Sequence, residues 1–377
     1  MKILILSAKN RSYATLSLKK AAQAKGHDVT ILDPSKLSPF ISSKTTGYDR
    51  LYDNFYHNYN RVYLGEFDIV IPRMTNINYT TSVLDVINNN IGVYSTQSAS
   101  AIQIASNKLS TTLILSAAGI PVPITTLVND ASAITKIIKQ LGGLPIVCKT
   151  SYGSQGKGVS ILESMITAKS IIQTLISQKT DFILQEYIDY KSDVRAVVIG
   201  DRVIAMQRKR IKGDFRSNIS MGAEGIPIEL NEDDKQICRR AAKIVGLDVC
   251  GVDLLITKNK TYVIEVNSNF GFKIQKITKA PIAEYIIDYA INMSLLHNKK
   301  REDINSQQRT INSMQKTISD LEKNLSIYEG GEFEKLTDTY RGKKINYIDK
   351  NGNKRHRVVS TIKDVFMIAQ EVLIFKD

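Results

Sequence analysis

The sequence predicts a multidomain α/β (α+β) protein, and three observations predict it. The first elements run strand, helix, strand, an order that implies a parallel sheet. After the break at Pro121-Val-Pro123, a second series of strands and helices alternates as far as Asn267. The tail then changes character, to a heptad-spaced segment followed by short strand patterns. With 377 residues the chain is long enough for two or three domains and a sizeable core.

Lys2-Ile-Leu-Ile-Leu6 is a short apolar run suited to a buried parallel strand. Residues 13–25 keep helical spacing, with Gly26 as a C-cap. Val29–Leu32 and Phe67–Ile71 are the next strands, the latter stopped by Pro72. Asp33 ends the second strand where a ribose-binding acid would stand in a dinucleotide fold. The first turn, however, reads Ser7-Ala-Lys-Asn-Arg11 and lacks the GxGxxG glycines, so that reading is rejected. A helix over 131–141, a strand over 145–149 and a glycine-rich loop follow the proline break, and a helix over 282–296 follows Asn267. Ile311, Met314, Ile318, Leu321, Leu325 and Tyr328 form a heptad seam under three heptads long. So short a helix should pack on the body, on itself or on a second copy. An ordinary amphipathic helix is the favoured reading. Gly330-Gly331 breaks the chain, and residues 340–377 read as short strands with a turn at Lys350–Asn353.

Lysine and arginine exceed aspartate and glutamate by 51 to 37, a net charge of +14. Solvated surface lysines account for this, as would an acidic partner such as a nucleotide, an acidic peptide or nucleic acid. The three cysteines, Cys148, Cys238 and Cys250, form no CxxC pair, and the four histidines form no HExxH. Neither a signal-peptide pattern nor an apolar run long enough for a bilayer is present. A reduced, cytoplasmic protein without structural zinc is expected.

Four constellations carry chemistry. Lys149-Thr-Ser-Tyr-Gly-Ser-Gln-Gly-Lys-Gly158 is a strand end running into a loop with Gly153, Gly156 and Gly158. Glycines let backbone N–H groups close on phosphate oxygens, with Lys149 as a fixed positive charge. The spacing is not that of a Walker A loop, and a flexible hairpin is the alternative. Ile183-Leu-Gln-Glu-Tyr-Ile188 is a strand leading into a connection, where backbone groups can meet a purine edge and Glu186 and Asp189 a ribose; a plain buried strand reads the same way. Asp253 and Glu265-Val-Asn267 lie on two strands of a predicted hairpin. Glu265 and Asn267 share a face, Asp253 can lie opposite, and three hard oxygen ligands suit Mg²⁺. Val252, Leu254, Ile264 and Val266 should face the other way and pack. The last constellation is basic: Asp193-Val-Arg195, Arg208-Lys-Arg210 and Gly213-Asp-Phe-Arg-Ser-Asn218. Arginines near the metal site would neutralise phosphates, whereas a nucleic-acid platform would need interleaved aromatics that are missing.

At these residues the chain resembles the RimK family of ATP-grasp ligases, over about residues 1–295. The carriers are Ile71-Pro-Arg73, Ser106-Asn-Lys-Leu109, Lys149 with Gly153-Ser-Gln-Gly156, Gln185-Glu-Tyr-Ile188, Asp193-Val-Arg195, Gly213–Asn218, Gly251-Val-Asp253 and Glu265-Val-Asn267. The resemblance implies an ATP-grasp fold with an N-terminal parallel-sheet pre-ATP-grasp domain; the C-terminal helix and small β-rich appendix read above lie outside its pattern. It implies that Lys108 and Lys149 contact ATP phosphates under a loop containing Gly153, Ser154, Gln155 and Gly156. Gln185, Glu186, Tyr187 and Ile188 would line the adenine hinge. Asp193, Arg216, Ser217 and Asn218 match nucleotide-contacting positions. Asp253, Glu265 and Asn267 would hold two Mg²⁺ ions, with Mn²⁺ an alternative, and Arg208 and Arg216 would contact an acyl-phosphate. Two positions depart from the family pattern, Phe270 in place of proline and Lys273 in place of an acid.

The expected domains are 1–100 (pre-ATP-grasp), 101–190 (small subdomain with the glycine loop) and 191–297 (catalytic subdomain), with 298–330 (helix) and 331–377 (appendix) from the tail's own pattern. The implied activity is ATP-dependent amide formation between a carboxylate and an amino acid, at the C-terminus of a peptide or protein. Lys273 and Lys276 would favour an acidic acceptor. The expected partners are that acceptor and an amino acid, in a homo-oligomer, with neither nucleic acid nor membrane. A ligase making a small peptide or natural product is the sibling reading. An inactive nucleotide-binding or nucleic-acid-binding module is the reading from another class.

Overall fold

The computed structural model describes residues 1–40, 55–74, 78–153, 158–208 and 225–325, with 342, 344–349, 353–358, 360 and 364 from the tail. The chain divides into two compact units, Met1–Leu295 and Leu296–Asp377.

The first sheet begins with β1 (Lys2–Ser7) and β2 (Asp28–Leu32), joined by helix α1 (Tyr13–Ala24). Ser12 caps α1 by accepting from the Thr15 N–H. A small antiparallel sheet of β3 (Leu37–Pro39), β4 (Phe55–His57) and β5 (Asn60–Val62) follows. Then come β6 (Ile69–Arg73), α2 (Asn78–Asp85) and β7 (Tyr94–Ser95). The strands order as β2-β1-β6-β7, and every pairing is parallel. The run Ile3–Leu6 is continuously apolar because both faces are covered. Ile3 and Ile5 pack with α1, whereas Leu4 and Leu6 pack with residues 83–102 on the other side. Pro72 does not stop β6, contrary to the sequence expectation; it pairs with Leu6 inside the strand. The β7 ladder ends at Val70–Ser95, so among the described residues Pro72 has no strand partner on that edge of β6.

Helices α3 (Ala99–Ser106) and α4 (Lys108–Ala117) lead to a second sheet. Its strands are β8 (Thr125–Thr126), β9 (Ile146–Thr150), β10 (Val159–Leu162) and β11 (Phe182–Glu186), antiparallel in the order β10-β9-β11-β8. Helices α5 (Ile134–Gln140) and α6 (Met165–Ser177) bury Ile134, Ile138, Ala168 and Ile172 against Ile146, Cys148 and Leu184 of this sheet. The helix expected over 131–141 opens as a 3₁₀ turn at Ala131–Ala133, capped by Asp130.

The third sheet holds β12 (Ser192–Ile199), β13 (Arg202–Arg208), β14 (Gly225–Ile228), β15 (Val249–Ile256) and β16 (Thr261–Asn267), with helix α7 (Glu232–Val245) between β14 and β15. The order is β14-β13-β12-β15-β16, again antiparallel. Val194, Ala196, Val198, Cys250, Val252 and Leu254 fill one face against Cys238, Ala241 and Val245 of α7. Ala101 of α3 and Leu115 of α4 join that core, so the 101–190 segment is shared between two cores. The other face divides. At one end Val197, Ile199, Met206 and Val249 enter the core that also contains Ile3, Ile5, Phe270 and Phe272. At the other end it bears charge, and the site forms there.

Ile264 was expected to pack with Val252, Leu254 and Val266. A β-bulge overrides that expectation: Asp253 pairs with Glu265, but Leu254 pairs with Val263. The extra residue is Ile264, which is only partly buried, while Val263 takes the core position.

Gly251 is required for space. An added Cβ would lie 3.0 Å from the Phe270 Cβ and 3.3 Å from the Arg195 Cδ. Phe270 is fully buried and stacked on Phe272 with ring centroids 5.6 Å apart, so it has little room to give. Gly251→Ala should cost about 1–3 kcal/mol in chemical denaturation; an unchanged midpoint would mean that Phe270 repacks freely.

After α8 (Lys273–Thr278), helix α9 runs without interruption from Ile282 to Leu325. The sequence expectation of a stop at 296 is corrected, and the reason is simple: no glycine or proline occurs between Ile282 and Leu325. Of the heptad residues, Ile311, Met314 and Ile318 are partly buried, and Tyr328 lies outside the described residues. In the tail, β17 (Lys344–Ile348) and β18 (Lys354–Val358) form an antiparallel hairpin.

Candidate active site

Strand register assembles the charged end of the third sheet. In antiparallel pairs, directly opposed side chains share a face. Asp193 lies opposite Arg208, Arg195 opposite Asp253, Asp253 opposite Glu265, and Gly251 opposite Asn267. Arg195 donates from Nε to Asp253 Oδ1 and from Nη2 to Oδ2, the latter at 2.7 Å. Arg208 donates from Nε to Asp193 at 2.7 Å, and its Nη2 also lies 3.4 Å from Asp253 Oδ1. Burial pushes the Asp253 carboxyl upward, but Arg195 and Arg208 outweigh it and hold it below the usual carboxylate range. Asp253 is therefore an ionised, clamped carboxylate.

Lys108 connects this row to the glycine loop. It opens α4, where its backbone N–H donates to Ser151 O at 3.0 Å. Its Nζ donates to Gly153 O at 3.1 Å and lies 3.9 Å from Glu265 Oε1. Asn107, the N-cap of α4, also donates to the Tyr152 hydroxyl at 3.0 Å. Gly158 closes the loop with φ +77°, a conformation that favours glycine, and its carbonyl accepts from Thr150 N.

Lys149 lies on β9 with part of its surface still exposed. Burial of its amine lowers its pKa to about 8, against the opposing pull of Glu265 and Asp253, while Lys108 lowers it further. The fixed charge expected there is thus only partly protonated at pH 8. Gln185 is buried and donates to Thr125 Oγ1 at 2.8 Å. Glu186 accepts from Ile124 N at 2.8 Å, which ties the end of β11 to the segment leading into β8. Tyr187 and Ile188 are partly buried in the irregular connection that joins the second sheet to the third. Ser154, Gln155, Gly156, Arg216, Ser217 and Asn218 lie outside the described residues.

The donor set suits a hard cation. Among the described residues no three His, Cys, Asp or Glu side chains cluster as metal ligands, which leaves two carboxylates and a carboxamide. Such a set fits Mg²⁺, which keeps positions for phosphate and water. Asp253 retains a lone pair beyond those its arginines take. Among the described residues the buried Asn267 Nδ2 has no hydrogen-bond partner. Turning that amide over would present Oδ1 at the same point, where a cation would satisfy it.

Sequence comparison matches residues 1–102 to the RimK PreATP-grasp domain and residues 105–290 to the RimK-like ATP-grasp domain. A Maridesulfovibrio salexigens protein named probable alpha-L-glutamate ligase is 35% identical over 298 residues, 77% of this chain and 95% of the relative. The chain belongs to the RimK family of ATP-grasp ligases. Two solved structures share the fold. The ATP-grasp ligase PsnB, with minimal precursor, Mg and ADP, superposes with a TM-score of 0.59 at 19% identity, over 78% of this chain and 98% of PsnB. A RimK domain protein from Sphaerobacter thermophilus gives 0.59 at 20%, over 77% and 99%. As a RimK-family enzyme the chain is an ATP-dependent ligase that forms amide bonds with ATP and Mg. No described helix is long and apolar enough to cross a membrane.

The contacts of two arginines escaped the sequence reading. Arg195 was visible only as one member of Asp193-Val-Arg195, two residues from Asp193 and so on its face. Its bidentate clamp on Asp253 depends on the β12–β15 register, which no local pattern reveals. Arg73 was visible as the end of Ile71-Pro-Arg73, but its partner is Phe270, 197 residues away.

Proposed function

We propose that this chain adds an amino acid, L-glutamate first among the candidates, to the C-terminal carboxylate of a peptide or protein. The observation that carries this reading is the contact chain from Gly153 through Lys108 to Glu265 and onward to Asp253, Arg195 and Arg208. It brings the start of the glycine loop and the acidic row to one place. The names of the relatives support glutamate, and PsnB, solved with its precursor, supports a peptide acceptor.

In this reading Asp253, Glu265 and Asn267 would hold two Mg²⁺ ions, which would neutralise charge on the ATP phosphates. Lys108 and Lys149 take phosphate oxygens, and the segment Gln185–Ile188 takes the base. Asp193, Ser217 and Asn218 complete the nucleotide contacts. The γ-phosphoryl group passes to the acceptor carboxylate, and the amine then displaces phosphate to leave an amide. Little covalent work falls to the protein, so position and charge dominate. Arg195 holds Asp253 in its ligating orientation. Arg208 commits Nε and Nη2 to carboxylates, so contact with the transferred group falls to Nη1, assisted by Arg216.

The test is ADP release with Mg-ATP across the twenty amino acids and a set of peptides with acidic or neutral C-termini, with products read by mass. A peptide gaining one or more glutamate increments supports the proposal. Product from free amino acids alone would favour small-peptide synthesis, and ATP binding without turnover would favour an inactive module.

A further inference from the structure

Arg73 occupies a position that the ATP chemistry does not use. It is the last residue of β6, level with Ser7 at the end of β1. Chain order leaves β1 first toward β2 on one side and then toward β6 on the other. The crevice beyond the carboxyl ends of β1 and β6 is therefore a topological switch point, the usual ligand position in open parallel sheets. Its rim is basic. The turn Ser7–Ser12 carries Lys9 and Arg11 and no acid. The Tyr13 hydroxyl meets Gln275 Nε2 at 3.2 Å, and Lys276 Nζ sits 4.4 Å from the Tyr13 ring centroid, so α8 stands beside the start of α1.

Arg73 itself is held by neutral groups. Nη2 donates to Phe270 O at 2.6 Å, and the guanidinium carbon lies 5.6 Å from the Phe270 ring centroid and 5.2 Å from that of Phe272. Among the described residues it forms no ion pair, in contrast to Arg195 and Arg208. Burial alone lowers its pKa, to about 10. A partly buried guanidinium without an acid is costly unless an anion arrives. One N–H is committed to Phe270, and the remaining donors can form the two-pronged contact that suits a carboxylate.

The crevice adjoins the metal row. Phe270 follows Asn267 by three residues, and Asn269 Nδ2 donates to Met74 O at 2.8 Å. Gly251, opposite Asn267, leaves room for both Phe270 and Arg195. Two carboxylic substrates must be kept apart in amide ligation. One carboxylate is phosphorylated beside the metal, while the amino acid that attacks through its amine keeps its own carboxylates ionised. Held beside the metal these would compete for the phosphoryl group. Held away from it they orient the amine.

We propose that Arg73 is the counter-ion for an unreacted carboxylate of the incoming amino acid, seated in the crevice at the ends of β1 and β6. This rests on the amide-ligase reading above, deepens it, and makes Arg73 a specificity residue for the amine-bearing substrate. Neither Phe270 nor Lys273, the two positions that depart from the family pattern, carries an acid.

The experiment compares L-glutamate with its two monoamides, L-isoglutamine and L-glutamine, in wild type, Arg73→Met and Arg73→Lys, with the peptide acceptor selected above. Wild type should prefer glutamate by about 100-fold in kcat/KM over one monoamide, which identifies the bound carboxylate. Arg73→Met should reduce that preference to within about 3-fold while the KM for ATP stays within about 3-fold of wild type. Arg73→Lys, which keeps the charge and loses the fork, should fall between them. An equal loss for all three substrates in Arg73→Met would mean a packing role and overturn the assignment. Failure of wild type to ligate any of the three would count against glutamate as donor. Calorimetry of L-glutamate with the Mg-ADP complex then decides Arg73 separately: weaker binding in Arg73→Met supports it, and equal binding, or none in either protein, overturns it.

Discussion

Glu265→Gln should lower kcat at least ~100-fold and leave the thermal midpoint within ~2 °C of wild type, whereas Asp253→Asn should lose both rate and stability. The difference follows from what surrounds each acid. The Glu265 side chain is 30% exposed, and its ion-pair neighbour among the described residues, Lys108, lies at 3.9 Å. Such a pair contributes little to stability, so its loss shows in metal binding and rate. The Asp253 side chain is 5% exposed and clamped by two arginines. Its neutralisation leaves Arg195 partly buried without a directly bonded carboxylate, at a cost of about 3 kcal/mol. Both variants should need more Mg²⁺ for half-maximal ADP release. An unaltered magnesium titration in Glu265→Gln would remove Glu265 from the metal set.

The Asp253 contribution also has a pH signature. Burial raises its pKa, the arginines lower it more, and the folded value ends below the ordinary 3.8. Its stabilisation is therefore complete above the ordinary carboxylate range and is lost as pH falls through the folded-state pKa. The stability gap between wild type and Asp253→Asn should be constant near neutrality and narrow toward pH 3. A gap that persists unchanged in strong acid would place its origin in packing instead.

Lys149→Met should weaken ADP and ATP binding by about 100-fold, the loss expected for a charge-assisted contact to phosphate. At pH 7 the same variant should be more stable than wild type. Lys149 titrates from 10.5 down to about 8 on folding, chiefly through burial. The unfolded chain holds more protons between those values, so folding becomes more favourable as pH rises through this window. Below it the charged amine is retained at a cost that methionine removes. The advantage of Lys149→Met should therefore shrink from pH 8 upward and vanish above 10.5. Wild type should also take up a fraction of a proton on binding ADP at pH 8, visible as a dependence of calorimetric heat on buffer. A lower midpoint for Lys149→Met at pH 7 would mean a satisfied ion pair; unchanged ADP affinity would exclude the phosphate contact.

Together the two sets of variants test which polar groups hold the fold and which serve ligands. Arg195, Arg208, Asp193 and Asp253 already satisfy one another in the described structure. Lys149, Arg73 and the Asn267 amide do not. Natural proteins commonly accept such local cost where function needs it.

Much of this was legible in the sequence because it rests on local patterns. Apolar runs specify β1, β2 and β15, capping residues specify α1, and the alternation Glu265-Val-Asn267 specifies a shared face whatever the rest of the chain does. The order of motifs from Ile71 to Asn267 was enough for the family. Tertiary structure alone decided the rest, since it depends on which strand lies beside which. The β12–β15 register turned Arg195 into the clamp on Asp253. A bulge moved Ile264 out of the core and Val263 into it. The end of the β7 ladder let Pro72 stay inside β6. Residues far apart in sequence met at Arg73 and Phe270. Helical and strand periods are properties of neighbouring residues, whereas register, burial and the pairing of charges belong to the packed chain.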